Sequence, residues 1–154
     1  MIDIIAYEMI YTGNKIDEEL CIEMAPFSEE IYEEYEKIYN ECFFEMRKAL
    51  DVQPYNFYLA IEQLENRKQN IYVLCNDNTI LGSVACYGNE IDDLIVNKRY
   101  QNKGIGRKLL LWAIEHIRKN NNEPIILHVA KWNEKALKLY LDNGFKINKI
   151  ERVR

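Results

Sequence analysis

The spacing of apolar positions changes several times along the chain, and each change marks an element. Ile2, Ile4, Ile5, Tyr7, Met9 and Tyr11 recur as in a strand, Gly13-Asn14 marks a turn, and Leu20 to Met24 reads as a second strand, so residues 1–24 predict a hairpin. From Pro26-Phe27-Ser28 the period becomes helical. Ser28 stands where an N-cap is needed, Phe27 and Tyr32 can staple the first turn, and Ile31, Tyr35, Ile38, Cys42 and Met46 keep one face apolar. Glu29, Glu30, Glu33, Glu34, Glu36 and Glu41 crowd the rest of that helix, which reads as its solvated side. Pro54 predicts the first turn of another helix, reaching about Lys68 and carrying Tyr55, Phe57 and Tyr58.

Beyond residue 70 the pattern is more regular. Ile71 to Cys75 and Ile80 to Tyr87, separated by Asn76-Asp77-Asn78, predict an antiparallel hairpin, and Glu90 to Val96 predicts the next strand. Gly106, Leu109, Leu110, Ala113, Ile114 and Ile117 share one face of a helix that ends at Asn120-Asn121-Asn122. Ile125 to Val129 alternates as a strand, Asn133 caps a short helix ending at Gly144, and Phe145 to Ile150 is a last strand. Trp112 and Trp132 are expected to cover the edges of the core, and His116 to lie on a helix surface.

At 154 residues this α/β pattern fits a single domain, 1–154, with an extra N-terminal β segment at about 1–24. No apolar run is long enough to cross a bilayer and Met1-Ile2-Asp3 does not open a signal sequence, so a cytoplasmic protein without a membrane partner is expected. Cys21, Cys42, Cys75 and Cys86 are far apart and lack a neighbouring His, which predicts reduced thiols and no metal. The net charge of −5 is divided unevenly: residues 1–93 hold 20 acidic against 6 basic side chains, and residues 94–154 hold 5 against 14. An acidic half would repel nucleic acid, so the basic half is better matched to a compact polyanion.

The place for that polyanion is the stretch Gln101-Asn102-Lys103-Gly104-Ile105-Gly106-Arg107-Lys108, between a strand and a helix. Glycines allow close approach to backbone amides at a helix start, and Lys103, Arg107 and Lys108 add charge, which suits a ligand with several phosphates. A dinucleotide fingerprint does not fit, because Leu109 stands where the third glycine should be, and a P-loop would need four residues between its glycines.

Two blocks together carry a family resemblance. The first is Gln101-x-x-Gly104-x-Gly106 after Leu94-Ile95-Val96; the second is Asn133-x-x-Ala136-x-x-x-Tyr140-x-x-x-Gly144-Phe145 after Leu127-x-Val129. Over about residues 71–150 they resemble the GNAT superfamily of acyl-CoA N-acyltransferases. The resemblance implies a mixed, splayed β-sheet flanked by helices on both faces, with acetyl-CoA, or another short acyl-CoA, wedged between the strands ending near Val96 and Val129. It places the pyrophosphate on the amides of Lys103 to Arg107, the pantetheine arm along Leu94, Ile95 and Val96, and Asn133 in contact with that arm. It puts Tyr140 in the general-acid position, protonating the leaving thiolate.

A primary amine of pKa about 10.4 must lose a proton before it can attack a thioester. Glu90, Asp92 and Asp93 are the candidate bases at the start of the thioester's strand. Glu90 best matches the family's glutamate by its offset from Gly104, and a backbone amide near Ile95 or Val96 suits the oxyanion. His128 reads as a sheet residue rather than a base or metal ligand. The acidic N-terminal half favours a cationic amine acceptor, either a small molecule or a peptide amine. The competing reading is a catalytically silent CoA-binding regulatory or interaction module. Family members usually continue past the strand after Gly-Phe into a final hairpin, whereas this chain ends at Arg154. The segment Ile2 to Tyr11, from the same chain or from the partner in a homodimer, is expected to fill the place beside Phe145 to Ile150.

Overall fold

The computed structural model describes residues 2–13, 20, 22–57 and 60–154. Its strands are β1 (Ile5–Tyr11), β2 (Ala25–Pro26), β3 (Ile71–Asn76), β4 (Thr79–Tyr87), β5 (Glu90–Val96), β6 (Ile126–Ala130) and β7 (Phe145–Arg152). Its helices are α1 (Tyr32–Ala49), α2 (Ile61–Leu64), α3 (Ile105–Asn120) and α4 (Glu134–Asp142). The strands form one mixed sheet in the order β2-β3-β4-β5-β6-β1-β7, in which β5 and β6 are parallel and the other pairings antiparallel.

Alternation along the strands builds a core on each face. Met9, Ile91, Leu127, Val129 and Phe145 pack with Leu110, Leu111 and Ile114 of α3 and Tyr140 of α4. On the opposite face Ile71, Val73, Ile80, Ala85 and Ile95 pack with Tyr35, Ile38 and Tyr39 of α1. Gly82 lets α3 come close to β4, since a Cβ there would lie 2.8 Å from both the Ile95 carbonyl oxygen and Leu109 Cδ1.

The N-terminal hairpin does not form. β1 lies between β6 and β7, with Tyr7 opposite both Val129 and Ile150. Both of its edges are therefore occupied, which leaves none for a following strand. Among the residues read as that second strand, Leu20 and Met24 pack on the core without pairing, and Cys21 lies outside the described residues. β2 instead pairs with β3 at the far edge. The expected filling of the place beside β7 is met by β1 of the same chain.

The helix expected from Pro54 to Lys68 is reduced to the four residues of α2. Leu64 is the buried residue of that helix, and one apolar side chain cannot anchor several turns. The preceding loop is pinned to α1 instead: Phe57 N–H donates to Asn40 Oδ1 at 2.7 Å, and the Arg47 guanidinium lies 4.2 Å from the Phe57 ring centre. Tyr58 lies outside the described residues. Ser28 precedes a 3-10 turn, Glu29–Ile31, and makes no side-chain cap, so α1 begins at Tyr32.

Candidate active site

The site begins where β5 and β6 part. Their parallel pairing holds at Glu90↔Ile126 and Ile91↔Leu127 and goes no further. β5 carries an extra residue at this point: Ala85 faces Asp92 but Ser83 faces Ile95, and Asp93 takes a positive φ of 46°. Such a bulge adds bend and twist to one strand. The edge of Leu94, Ile95 and Val96 that would have met β6 is thereby opened. The Val96 carbonyl is already engaged, accepting from Gln101 Nε2 at 3.0 Å and from the Cys42 thiol at 3.2 Å.

The start of α3 faces this opening. Gly104, its N-cap, has φ 81°, a left-handed conformation that strains other residues, and it offers no side chain to the helix. The first intrahelical bond comes from Lys108 N–H to the Gly104 carbonyl, so the amides of Ile105, Gly106 and Arg107 have no acceptor within the helix. Gly106 sits 3.5 Å, measured from a Cβ built on it, from Leu139 of α4, which brings the helix start against α4. Lys103 lies over the Tyr100 ring, Arg107 Nε donates to Asn143, and Lys108 is exposed. Lys135 reaches across from α4 to Asn102 Oδ1 at 2.8 Å, adding a cation that spacing along the sequence does not reveal. Asn133 caps α4, its side chain accepting from Ala136 N–H.

Tyr140 is buried in the core face shared with α3, its ring 6.1 Å from that of Phe145. Burial, and secondarily the charge of Asp92, push its hydroxyl up to about 12, so it holds its proton across the physiological range. The three acidic residues of β5 diverge in environment. Asp92 is exposed and accepts from Asp93 N–H at 2.8 Å. Asp93 turns toward α1, where Tyr39 Oη donates to it at 3.3 Å; burial, then repulsion from Asp92, raise it to about 6. The nearby Tyr87 hydroxyl is buried without a hydrogen-bond partner among the described residues, and burial and the Asp93 charge push it up to about 12.

Glu90, at the closed end of the wedge, contacts His128 Nδ1 at 2.8 Å, and His128 Nε2 lies 3.7 Å from Glu8. Glu8, His128 and Glu151 each bring one ligating atom within 4.8 Å of the others. Glu8 also accepts from Asn148 and lies 3.9 Å from Lys149 Nζ, so the group is a network of ion pairs. The structure thus brings the glycine loop beside β5 and against α4, the helix that carries Tyr140, and adds His128 and Lys135. Both additions depend on partners more than 30 positions away, which periodicity does not register. A cleft of about 660 Å³ opens beside the end of β6, lined by Asp3, Ile5, Leu50, Lys131, Trp132 and Glu134.

A family profile described as Acetyltransferase (GNAT) family matches residues 29–145. No curated protein matches the chain in sequence. Among solved structures, the PaiA N-acetyltransferase of Thermoplasma acidophilum in complex with coenzyme A is similar at 22% identity and TM-score 0.66, over 83% of this chain and 91% of that one. A transcriptional regulator from Bacillus halodurans C-125 is similar at 19% identity and TM-score 0.67, over 83% and 95%. A GNAT-family chain from Novosphingobium aromaticivorans DSM 12444 is similar at 17% identity and TM-score 0.66, over 96% of this chain and 61% of its own length. At these identities the likeness is one of fold. Among the described residues no helix is long and apolar enough to cross a membrane.

Proposed function

The chain belongs to the GNAT acetyltransferase family, and from that premise we propose that it moves an acetyl or other short acyl group from acyl-CoA to a primary amine by direct attack on the thioester. The observation that carries this reading is the wedge: an uncapped helix start, ringed by cations, facing the freed edge of a strand. The diphosphate of CoA rests on the amides of Lys103 to Arg107, with Lys103, Arg107, Lys108 and Lys135 supplying charge. Gln101 and Asn102 shape that loop. The pantetheine arm lies along Leu94, Ile95 and Val96 as an added strand and meets Asn133, which brings the thioester to the bulge at Asp92 and Asp93.

The amine arrives from the acidic face. Asp93 and the hydroxyls of Tyr39 and Tyr87 lie together as acceptors suited to a cationic group, with Asp93 drawing in the ammonium. Its proton is taken at the start of β5, where Glu90 and Asp92 stand, directly or through water, and a backbone amide near Ile95 or Val96 stabilises the oxyanion. As the C–N bond forms, the C–S bond breaks, and Tyr140 donates to the departing sulfur.

Calorimetry with CoA and thiol release from acetyl-CoA over an amine panel test the reading together. Gly104→Glu is expected to weaken CoA binding at least tenfold, and Tyr140→Phe to lower kcat by about 10- to 100-fold with CoA affinity retained. Tight CoA binding without thiol release to any amine would instead identify a silent CoA-binding module.

A further inference from the structure

We propose that Glu8, His128 and Glu151 form a binding site for a divalent transition-metal ion, with zinc the best match, on the face of the sheet turned away from α3 and α4. Three neighbouring strands supply one ligand each. Glu8 of β1 stands opposite His128 of β6 on one side and Lys149 of β7 on the other, and Glu151 follows two residues after Lys149. Met9, Leu127 and Val129 are buried against α3 and α4, so alternation turns Glu8 and His128 to the other face. Their ligating atoms and that of Glu151 lie within 4.8 Å of one another. Ligands about 2.1 Å from a tetrahedral zinc ion stand about 3.4 Å apart, so side-chain rotations that move these atoms by about 1 Å close the set.

Two of the three ligands are already aimed. A carboxylate only accepts hydrogen bonds, so the 2.8 Å contact with Glu90 fixes the proton of the neutral ring on Nδ1 and leaves a lone pair on Nε2, the nitrogen nearer Glu8. Nε2 and Glu8 Oε1 then face each other as two acceptors 3.7 Å apart, which cannot bond to one another and which a cation between them satisfies together. The other oxygen of Glu8, Oε2, accepts from Asn148 at 3.0 Å and lies 3.9 Å from Lys149 Nζ, so Oε1 is the one turned to the ring. Asn148 is the extra residue where the register of β7 against β1 shifts between Glu8 and Met9. A carboxylate on the far ring nitrogen and a donor on the far carboxylate oxygen are the partners that orient ligands around protein-bound metals. Charge points the same way. Glu8, Glu90 and Glu151 bring three negative charges to the ring and Lys149 returns one positive, and a divalent ion cancels the remainder. The imidazole favours zinc over magnesium and calcium, which take oxygen ligands. His128 and Glu151 are exposed, which gives the ion a way in, and once bound it ties β6, β1 and β7 together.

The test titrates the chelator-treated, tag-free protein with zinc chloride by calorimetry and with cobalt chloride by visible absorption. One ion per chain is expected in each. His128→Gln should weaken zinc binding at least about 30-fold, Glu8→Gln and Glu151→Gln about 10-fold each, and Glu90→Gln about 10-fold through the orientation of the ring alone. Zinc should raise the thermal unfolding midpoint of the wild type and leave that of His128→Gln where it was, a readout that also shows the variant to be folded. The cobalt spectrum should carry d–d bands without a thiolate charge-transfer band, which separates this site from Cys42, Cys75 and Cys86. No uptake of either ion overturns the inference, as does zinc affinity in His128→Gln within twofold of wild type. A thiolate band in the cobalt spectrum has the same force, and so does calcium bound as tightly as zinc. None of these readouts involves thiol release from acetyl-CoA, so the site stands or falls apart from the acyl-transfer reading.

Discussion

Asp93 shows how strongly position on a strand decides the chemistry of a side chain. Three acidic residues within four positions of β5 are alike in the sequence, yet the bulge exposes Asp92, turns Asp93 in under Tyr39 and leaves Glu90 against His128. In the folded protein Asp93 is raised to about 6, chiefly by burial, against an unfolded value of about 3.9. A group raised on folding contributes its full stability below the unfolded value and loses it as pH rises through the folded one, so stability should fall between about pH 4 and pH 6. Asp93→Asn removes that loss while keeping an acceptor for Tyr39. The variant is expected to be more stable than wild type at pH 7.5, by up to about 3 kcal/mol, with the difference shrinking toward pH 4. Urea unfolding at the two pH values measures it, and a wild-type advantage at pH 7.5 would contradict the burial account. The sequence pointed to the acidic run and, through the family resemblance, to Glu90 and Tyr140, but it could not tell the environments of the three acidic residues apart, because these depend on a one-residue bulge and on neighbours from α1 and β6. His128 was legible only as an alternating strand position, since the contacts that distinguish it come from Glu90 and Glu8.

Elements were legible where one face alternates or repeats over many residues. α3 and β3 to β5 follow their apolar periods closely, β7 forms where it was expected although Phe145 is its one buried residue, and Asn133 caps the helix assigned to it. The Pro54 segment reads as a helix because a proline suits a helix's first turn, whereas its order comes from Asn40 and Arg47 on another element. The packing of α3 on β4 rests on a smaller detail. Gly82 has no sequence signature beyond a glycine within a strand, yet it sits where α3 touches the sheet, with the Ile95 carbonyl and Leu109 both too near for a side chain. Gly82→Ala therefore forces α3 and β5 apart and is expected to cost about 1–3 kcal/mol. Because the proposed diphosphate site lies at the start of α3, the same substitution should also weaken CoA binding. Urea unfolding and CoA calorimetry on one preparation check both effects; a stable variant with unchanged CoA affinity would show that α3 does not depend on this contact.

Across the whole molecule, the arrangement follows from where β1 goes. A strand from the start of the chain fills the place between β6 and β7, so the half of the sheet beyond the wedge is held by contacts between residues 5–11 and 126–152. The sequence suggested β7 as a partner for this segment; it did not show that β6 would be the other, since two-sided pairing leaves no mark on a seven-residue alternation. The consequence is mechanical as well as architectural. β6 carries one wall of the wedge, and on its far side it is backed by β1 alone. Met9 is the most deeply placed side chain of β1, fully buried against the α3 and α4 core. Met9→Ala is expected to cost about 2–5 kcal/mol, in a single cooperative transition with an unchanged denaturant slope, because β1 joins β6 to β7 within one core. The added mobility should reach the wedge, so amide exchange at Leu127 to Ala130 should quicken along with that of β7. If exchange quickens in β7 while β6 keeps its wild-type protection, β1 is not what holds that wall of the wedge in place.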